Sequence, residues 1–125
     1  MATFTVKLKV WNPANPSRSA KLEAWADTGA AYSCISKELL DPLGVQGVRR
    51  LQFKTIEDHT VKRDLAAVFL SADGYTGGDN VVVAEPGDLE VLGAHSLESL
   101  GLAVDPVQKK LVPLVVALGL SAREK

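Results

Sequence analysis

One short segment carries an acid, a hydroxyl and a glycine in immediate succession, directly after an apolar strand. Asp27, Thr28 and Gly29 follow Ala24-Trp25-Ala26, and a second short strand is predicted from Tyr32 to Ile35. A carboxyl group in this position can take a proton from water or donate one to a substrate oxygen. The same residue types also form ordinary turns. The segment therefore leaves two interpretations open, an acid–base site and a plain turn.

A second motif lies about sixty residues later, where Val91-Leu92-Gly93 leads into a helical segment. Together with Asp27-Thr28-Gly29-Ala30 it resembles the retropepsin-like aspartic proteases, the family of the retroviral proteases and their bacterial and eukaryotic relatives. In that family an Asp-Thr/Ser-Gly-Ala loop follows an apolar strand, and a hydrophobic-hydrophobic-Gly element precedes the only helix. Ser33 matches a hydroxyl that the family commonly keeps. The ending from Leu97 to Pro113 looks like that of small bacterial single-domain members.

The resemblance covers roughly Val6 to Pro113 and implies an all-β fold. The expected fold is a retropepsin-like closed β-barrel with a flap hairpin and one short C-terminal helix. We expect a single domain over residues 1–120 and a frayed tail over 121–125. The resemblance also implies that Asp27 is the catalytic residue. It further implies that the Thr28 hydroxyl bonds across a subunit interface and holds the carboxyl groups in place.

Two carboxyl groups within hydrogen-bond reach of each other explain how such a site works without a metal or a cofactor. They cannot both ionise cheaply, so they share a proton and the pKa of one is strongly raised. The ionised group takes a proton from water while the protonated group donates to the carbonyl oxygen of the peptide. Gly29 lets the backbone come close to the pair, and its amide can donate to the Asp27 carboxylate.

The chain holds only one Asp-Thr-Gly, because Asp73-Gly74 and Asp105-Pro106 lack the hydroxyl between acid and glycine. The second carboxylate must then come from Asp27 of a second copy, and a two-fold dimer places identical loops face to face. The predicted function is a homodimeric aspartic endopeptidase. Two alternatives are a dimeric module of the same fold that binds peptides or serves in assembly without turnover, and an unrelated small β-barrel in which Asp27 only turns the chain.

The substrate of such an enzyme is a peptide or protein that lies extended in a groove between the subunits. Ala30, Ala31 and Tyr32 are expected to line its pockets, with Val91 and Gly93 nearby. The Phe53–Leu65 hairpin is the expected flap. Its tip comprises Ile56, Glu57, Asp58 and His59. An acidic tip would favour basic or polar substrate side chains, whereas the alternative is a solvated hairpin end.

Period-two alternation predicts the strands that position these residues. It runs over Phe4–Val10 and Ala20–Ala24, separated by a loop at Asn12–Ser17, and the Val48–Leu70 segment is strand-like with its polar centre at Glu57-Asp58-His59. Asp73-Gly74 and Gly77–Asn80 are predicted turns, and Val81–Ala84 is a predicted buried strand. Ser36 is predicted to cap a helical turn through Leu40 that Pro42 and Gly44 close, and Gly101 to end a helix over Ala94–Leu100.

Composition restricts the function classes. The chain has 125 residues and a net charge of −1, so it lacks the charge of a nucleic-acid binder. Leu111–Leu120 is the longest apolar run and is about half the length needed to cross a membrane. No signal peptide is recognised at Met1–Thr5, so a cytoplasmic location is expected. The single cysteine, Cys34, excludes an internal disulfide framework.

The other chemistry-bearing residues point to structural roles. Cys34 is expected as a small buried hydrophobe, and it lacks metal-ligand spacing with His59 or His95. His95 is expected to cap or pack near the helix start. Trp11 and Trp25 are expected in the core or at an interface. The apolar tail from Leu114 to Leu120 is expected to form a strand or pack between subunits.

Overall fold

The computed structural model describes residues 4–115 and 118–119. Of these, 54% are in strands and 12% in helices, so the mostly-β prediction is confirmed. The described strands are β1 (Thr5–Asn12), β2 (Asn15–Ala26), β3 (Cys34–Ser36), β4 (Arg49–Lys54), β5 (Thr60–Ala72), β6 (Tyr75–Ala84), β7 (Val91–Leu92), β8 (Leu102–Asp105) and β9 (Lys110–Pro113). The helices are α1 (Lys37–Leu40), which continues into a 3-10 turn at Asp41–Leu43, and α2 (Ala94–Leu100).

β1 and β2 form the antiparallel hairpin that the alternation predicts. Leu8 pairs with Leu22 and both side chains are buried, while the lysines between the apolar positions are exposed. The predicted loop over Asn12–Ser17 is too long, because only Pro13 and Ala14 lie between the strands. The Asn12 side-chain oxygen accepts the Ala14 N–H at 2.9 Å, which closes a tight turn.

Parallel pairing brings together the two strands that precede the sequence motifs. β2 pairs in parallel with β7, with Trp25 opposite Val91 and Ala26 opposite Leu92. β3 pairs with β7 at Cys34 and runs parallel to β6. Because two parallel strands end at the same edge of a sheet, the loops that begin at Asp27 and Gly93 lie side by side.

The seven-stranded sheet has the order β1-β2-β7-β3-β6-β5-β4, and Lys9–Trp11 of β1 pairs in addition with β5. β4 and β5 form the hairpin predicted from the Val48–Leu70 pattern. Its turn spans residues 55–59, which include the predicted tip, and Asp58 has a positive φ of 65°. The predicted hairpin is therefore present, and its role as a flap stays a prediction.

The predicted turn over Gly77–Asn80 is wrong, since these residues lie inside β6. Only the Asp73-Gly74 turn is present, with φ angles of 55° and 84°. The two glycines of β6 instead provide space. A Cβ at Gly77 would lie 2.6 Å from the backbone oxygen of Ser99, and one at Gly78 would lie 2.6 Å from the Phe69 ring. Gly77 therefore lets α2 approach β6 closely, and Gly78 leaves room for the Phe69 ring of β5.

Both helical segments end where their glycines predict. Ser36 Oγ accepts the Glu38 N–H at 3.1 Å at the start of α1, and Gly44 closes the following 3-10 turn with a φ of 74°. Gly101 takes the same left-handed conformation after α2. Leu97 and Leu100 of α2 are buried in the hydrophobic core.

β8 and β9 form a separate two-stranded hairpin after α2. Beyond β9, the Leu114 N–H donates to the Gly101 carbonyl at 2.9 Å, whereas Val115 is 95% exposed. The strand predicted for the apolar tail therefore does not continue through these two residues. Leu118 is likewise 72% exposed. Val116, Leu120 and the predicted frayed tail over 121–125 lie outside the described residues, and packing of the tail between subunits stays a prediction.

The core is formed by the inward faces of the strands together with both helices, and its fully buried members include Ile35, Leu40, Leu70, Leu92 and Leu102. The predicted buried strand is confirmed at Val81, Val82 and Ala84. In the part of the chain that the structure describes, no helix is long and apolar enough to span a membrane.

An ion pair joins β5 to the turn between β6 and β7. Arg63 Nε donates to Asp88 Oδ2 at 2.8 Å, and Nη2 donates to Oδ1 at 3.1 Å. The Glu85 N–H also donates to Asp88 Oδ2 at 2.8 Å. The hydrogen bond from Arg63 holds the pKa of the Asp88 carboxyl below its usual value.

This lowered pKa predicts a pH-dependent contribution to stability. The ionised Asp88 stabilises the fold above the unfolded-state pKa of about 4, and the contribution is lost as the pH falls through the lower folded-state pKa. Asp88→Asn should lower the free energy of unfolding by about 1 kcal/mol at pH 7, and by progressively less below pH 4, as measured by urea unfolding. Asp41→Asn, which removes an exposed partner of Lys37, is the control and should change stability little at either pH. A loss from Asp88→Asn that is undiminished in acid would contradict the assignment.

Candidate active site

Asp27 lies immediately after β2, on the outer side of the strand. Ala24 and Ala26 point into the core, so by strand alternation Trp25 and Asp27 share the opposite face. The Asp27 N–H donates to the Leu92 carbonyl at 3.0 Å. The Gly29 N–H donates to Asp27 Oδ1 at 2.9 Å, as expected from the sequence. The loop therefore folds back on its own carboxyl group and fixes one of its oxygens.

Gly93 brings the second loop against the first. An added Cβ at Gly93 would lie 2.5 Å from the Tyr32 carbonyl oxygen and 2.9 Å from that of Ala30. The φ of Gly93 is −97°, so the glycine is required for space and not for its backbone angle. The Ala94 N–H donates to Ala30 O at 2.8 Å and the His95 N–H to Ala31 O at 3.0 Å. The first turn of α2 is thereby bonded to the Asp27 loop.

A buried set of polar side chains fixes this junction. Ser33 Oγ accepts the Gly93 N–H at 2.9 Å and bonds to Ser96 Oγ at 2.5 Å, and Ser96 donates to Asp79 Oδ2 at 2.6 Å. Ser33 and Ser96 have no exposed surface. The sequence indicated Ser33, but not its partners. Ser96 lies in an amphipathic helix pattern and Asp79 in an apparent turn, so neither carried a signal.

Trp25 is a candidate site residue that the sequence motifs do not indicate. It is 39% exposed on the face that Asp27 shares and pairs in register with Val91, so it is not in the core, whereas its expected place at an interface stays a prediction. Val91 is half-buried. The alternation of β2 was the signal that could have placed Trp25 beside the acid. Trp11 is half-buried and packs edge-on against Phe69, with ring centroids 5.9 Å apart.

Tyr32 connects the Asp27 loop to the β4–β5 hairpin. Its ring contacts Phe53 of β4, with centroids 5.7 Å apart, and His95 of α2 at 4.8 Å. His95 thus packs on an aromatic ring, in agreement with the structural role predicted for it.

The predicted tip residues lie farther along the hairpin. All four are exposed, Ile56 completely so, and the described contacts of Asp58 are with Lys54 and Thr55. The structure therefore connects the strands of the hairpin, rather than its tip, to the candidate site.

Thr28, Gly29 and Ala31 are exposed, and Ala30 is half-buried. The surface beside Asp27 is thus composed of small side chains on the loop, flanked by Trp25 on one strand and Tyr32 on the other side. Such a surface is open and carries a single carboxyl group from the loop motif. It can bind a second protein surface or an extended chain.

Cys34 is half-buried in β3, and burial raises the pKa of its thiol to about 11. Asp88 raises this pKa further, while Arg63 opposes the shift. The thiol is therefore protonated at neutral pH, which disfavours a thiolate nucleophile. Among the residues that the structure describes, no group of three or more His, Cys, Asp or Glu side chains is placed to hold a metal ion.

Comparisons with known proteins address the fold. No family model matches the chain, and no curated protein sequence matches it. The solution structure of the simian foamy virus (mac) protease matches with a TM-score of 0.55 and 18% identity, covering 76% of this chain and 92% of that one. The foamy viral protease-reverse transcriptase, solved in complex with an RNA/DNA hybrid, matches with a TM-score of 0.54 and 19% identity. That match covers 93% of this chain but only 13% of the viral one.

These neighbours show that the chain has a retropepsin-like fold. The two sequence motifs thus occur at the adjacent ends of β2 and β7 in a fold shared with a viral protease. At 18–19% identity the likeness is one of fold. The bacterial-type ending inferred from the sequence remains a prediction that the viral structures do not address.

The close approach at Gly93 predicts a steric effect. Gly93→Ala would place a methyl group against two backbone oxygens that cannot rotate away. We expect a loss of about 2 kcal/mol in the free energy of unfolding, measured by urea denaturation. Gly119→Ala is the matched control, because no atom of the residues that the structure describes lies within 4 Å of its added Cβ. Equal effects of the two substitutions would contradict the account of the junction.

Proposed function

We propose that the protein is a homodimeric aspartic endopeptidase that uses Asp27 of each copy. The observation that carries this proposal is the position of Asp27. Its carboxyl group accepts a hydrogen bond from the Gly29 N–H. The loop that carries it is bonded to Leu92 and to the first turn of α2. This arrangement lies within a fold shared with the simian foamy virus protease.

The second carboxyl group is assigned to another copy of the chain. The full sequence contains no second Asp-Thr-Gly, and the Asp27 loop is exposed on the surface. A two-fold axis beside this loop would bring the two Asp27 side chains together and pair the exposed Thr28 residues across the interface. The dimer is therefore required to complete the site.

The chemistry follows from a pair that shares one proton. The ionised carboxylate accepts a proton from a water molecule, whose oxygen attacks the peptide carbonyl carbon. The protonated carboxyl donates to the carbonyl oxygen, which gives a tetrahedral diol. The carboxyl that took the proton from water then gives it to the amine nitrogen as the C–N bond breaks, and a diol hydroxyl returns its proton to the other carboxylate. No metal or cofactor takes part in this scheme. Two titrating groups should give a bell-shaped pH dependence of kcat/KM.

The substrate is a peptide in extended conformation. Ala30 and Ala31 leave room for its backbone beside the acid, and Trp25, Tyr32, Val91 and Gly93 border its side chains. The β4–β5 hairpin is proposed as the flap, with Ile56, Glu57, Asp58 and His59 at the tip. Its contact with the site through Phe53 and Tyr32 supports this role.

The scaffold is proposed to be a closed barrel formed by a single domain. The pairing of β1 with β5 supports closure, because it joins strands from the two halves of the sheet order. A closed scaffold would hold β2 and β7 rigidly beneath the two loops. Small single-domain proteases of the bacterial type are the members whose ending the sequence resembles.

Replacing the acid tests the proposal. Asp27→Asn should reduce kcat/KM on a mixed peptide library by about a thousandfold or more, because both general acid–base groups of the dimer are lost together. Peptide cleavage is measured by mass spectrometry across acidic to neutral pH, with the dimer confirmed by analytical ultracentrifugation.

Asp73→Asn is the matched control. It makes the same chemical change in an exposed turn with positive φ, where Asn is well tolerated. Cleavage by the Asp27→Asn variant at the wild-type rate would exclude Asp27 as the catalytic residue. A wild-type protein that binds the peptides and never cuts them would instead identify a peptide-binding module.

Dilution tests the shared site. If each half-site comes from a different copy, specific activity should fall on dilution through the dimer dissociation constant, in parallel with the dimer fraction. Activity and sedimentation are measured over the same concentration series. Undiminished specific activity in a fully monomeric sample would refute the shared dyad.

A further inference from the structure

A buried chain of hydroxyl groups runs from the candidate catalytic loop to Asp79 on β6. The Gly93 N–H donates to Ser33 Oγ at 2.9 Å. Ser33 Oγ donates to Ser96 Oγ at 2.5 Å, and Ser96 Oγ donates to Asp79 Oδ2 at 2.6 Å. The second Asp79 oxygen accepts the Asn80 N–H at 2.7 Å. Both serines are fully buried, whereas Asp79 is half-buried.

The carboxylate determines the direction of this chain. An ionised carboxylate only accepts hydrogen bonds, so Ser96 must give its hydroxyl hydrogen to Asp79. Ser33 must then give its own hydrogen to Ser96, and the Ser33 oxygen keeps a lone pair for the Gly93 amide. In this direction the N–H groups of Gly93 and Asn80 and the hydroxyl groups of Ser33 and Ser96 each have an acceptor.

An amide side chain at position 79 cannot satisfy the same set. It has one oxygen for two donors, the Asn80 N–H and the Ser96 hydroxyl. If its amino group faces Ser96, the chain reverses and the buried Ser33 hydroxyl hydrogen loses its acceptor. If its amino group faces Asn80, two donors oppose each other. Either arrangement is costly in a buried site, and displacement of the chain toward Gly93 relieves it.

A shift at Gly93 reaches the acid through the backbone. The carbonyl of Leu92, the preceding residue, accepts the Asp27 N–H at 3.0 Å, and the N–H of the following residue, Ala94, bonds to Ala30 at 2.8 Å. Gly77 makes the connection possible from the other side, since its missing side chain lets α2 approach β6 at Ser99.

We propose that Asp79 is a positioning residue for Asp27, acting through Ser96, Ser33 and Gly93. Its carboxylate is a distant anchor that sets the polarity of the hydroxyl chain. The kinetic part of this inference rests on the proposed protease function, whereas the ordering of the Gly93 loop does not.

Asp79→Asn tests the proposal because it keeps the shape of the side chain while it removes the charge and replaces one acceptor oxygen by an amino donor. The amide hydrogen of Gly93 should exchange about tenfold faster by NMR, while those of Leu8 and Leu22 in the β1–β2 hairpin exchange unchanged. In the peptide-cleavage assay, kcat should fall about tenfold with KM within about twofold, since the acid is displaced but the groove is intact.

Ser96→Ala is the second variant, and it interrupts the chain without changing the charge. It should accelerate Gly93 exchange to a similar extent, and the double variant should be no worse than the worse single one, because both break one chain. Asp73→Asn is the control for loss of a carboxylate and should leave Gly93 exchange unchanged.

The outcomes separate the two proposals. Unchanged Gly93 exchange in both variants, or acceleration that is uniform over the whole sheet, would overturn the positioning role. If the wild-type protein cleaves no peptide, the protease proposal fails, and Gly93 exchange alone then decides whether Asp79 orders the loop. Selective acceleration at Gly93 with an unchanged kcat would overturn the link to Asp27.

Discussion

The candidate site depends on the contact between the Gly93 backbone and the carbonyl groups of Ala30 and Tyr32. This contact is closer than any side chain would allow, and it lets one loop accept and donate main-chain hydrogen bonds to the other. Buried backbone groups must be paired, so the contact also requires an acceptor for the Gly93 amide, which Ser33 supplies. The loop that holds Asp27 is therefore ordered by its neighbour as well as by its own hydrogen bond from the Gly29 N–H to Asp27 Oδ1.

The same constraint explains features that lie far from the acid. Ser33 needs an acceptor for its own hydrogen, and Ser96 and Asp79 complete the chain. Ser96 can reach Asp79 only if α2 packs tightly on β6, and Gly77 permits this approach. Gly77, two serines and one carboxylate are thus linked by one requirement, which is the satisfaction of a buried amide beside the site.

Much of the fold was predictable because strands and caps leave local patterns. The β1–β2 hairpin, the hairpin around residues 55–59, the ends of both helices at Gly44 and Gly101, and the mostly-β class all follow from alternation and from residues with special backbone geometry. The error at Gly77 and Gly78 has a tertiary cause. These residues carry the local signal of a turn, yet Gly77 leaves room for Ser99 of α2 and Gly78 for the ring of Phe69 on β5.

The amino-acid sequence alone identifies the acid, its hydroxyl and glycine neighbours, the second motif, and the absence of a second Asp-Thr-Gly from the chain. The folded chain is needed to show that Trp25 lies exposed on the face of Asp27, that Tyr32 joins the loop to the hairpin, and that Asp79 ends the hydroxyl chain. These contacts depend on the register of paired strands and on the docking of α2. Local propensities encode neither, because each contact joins residues that come close only after the chain has folded.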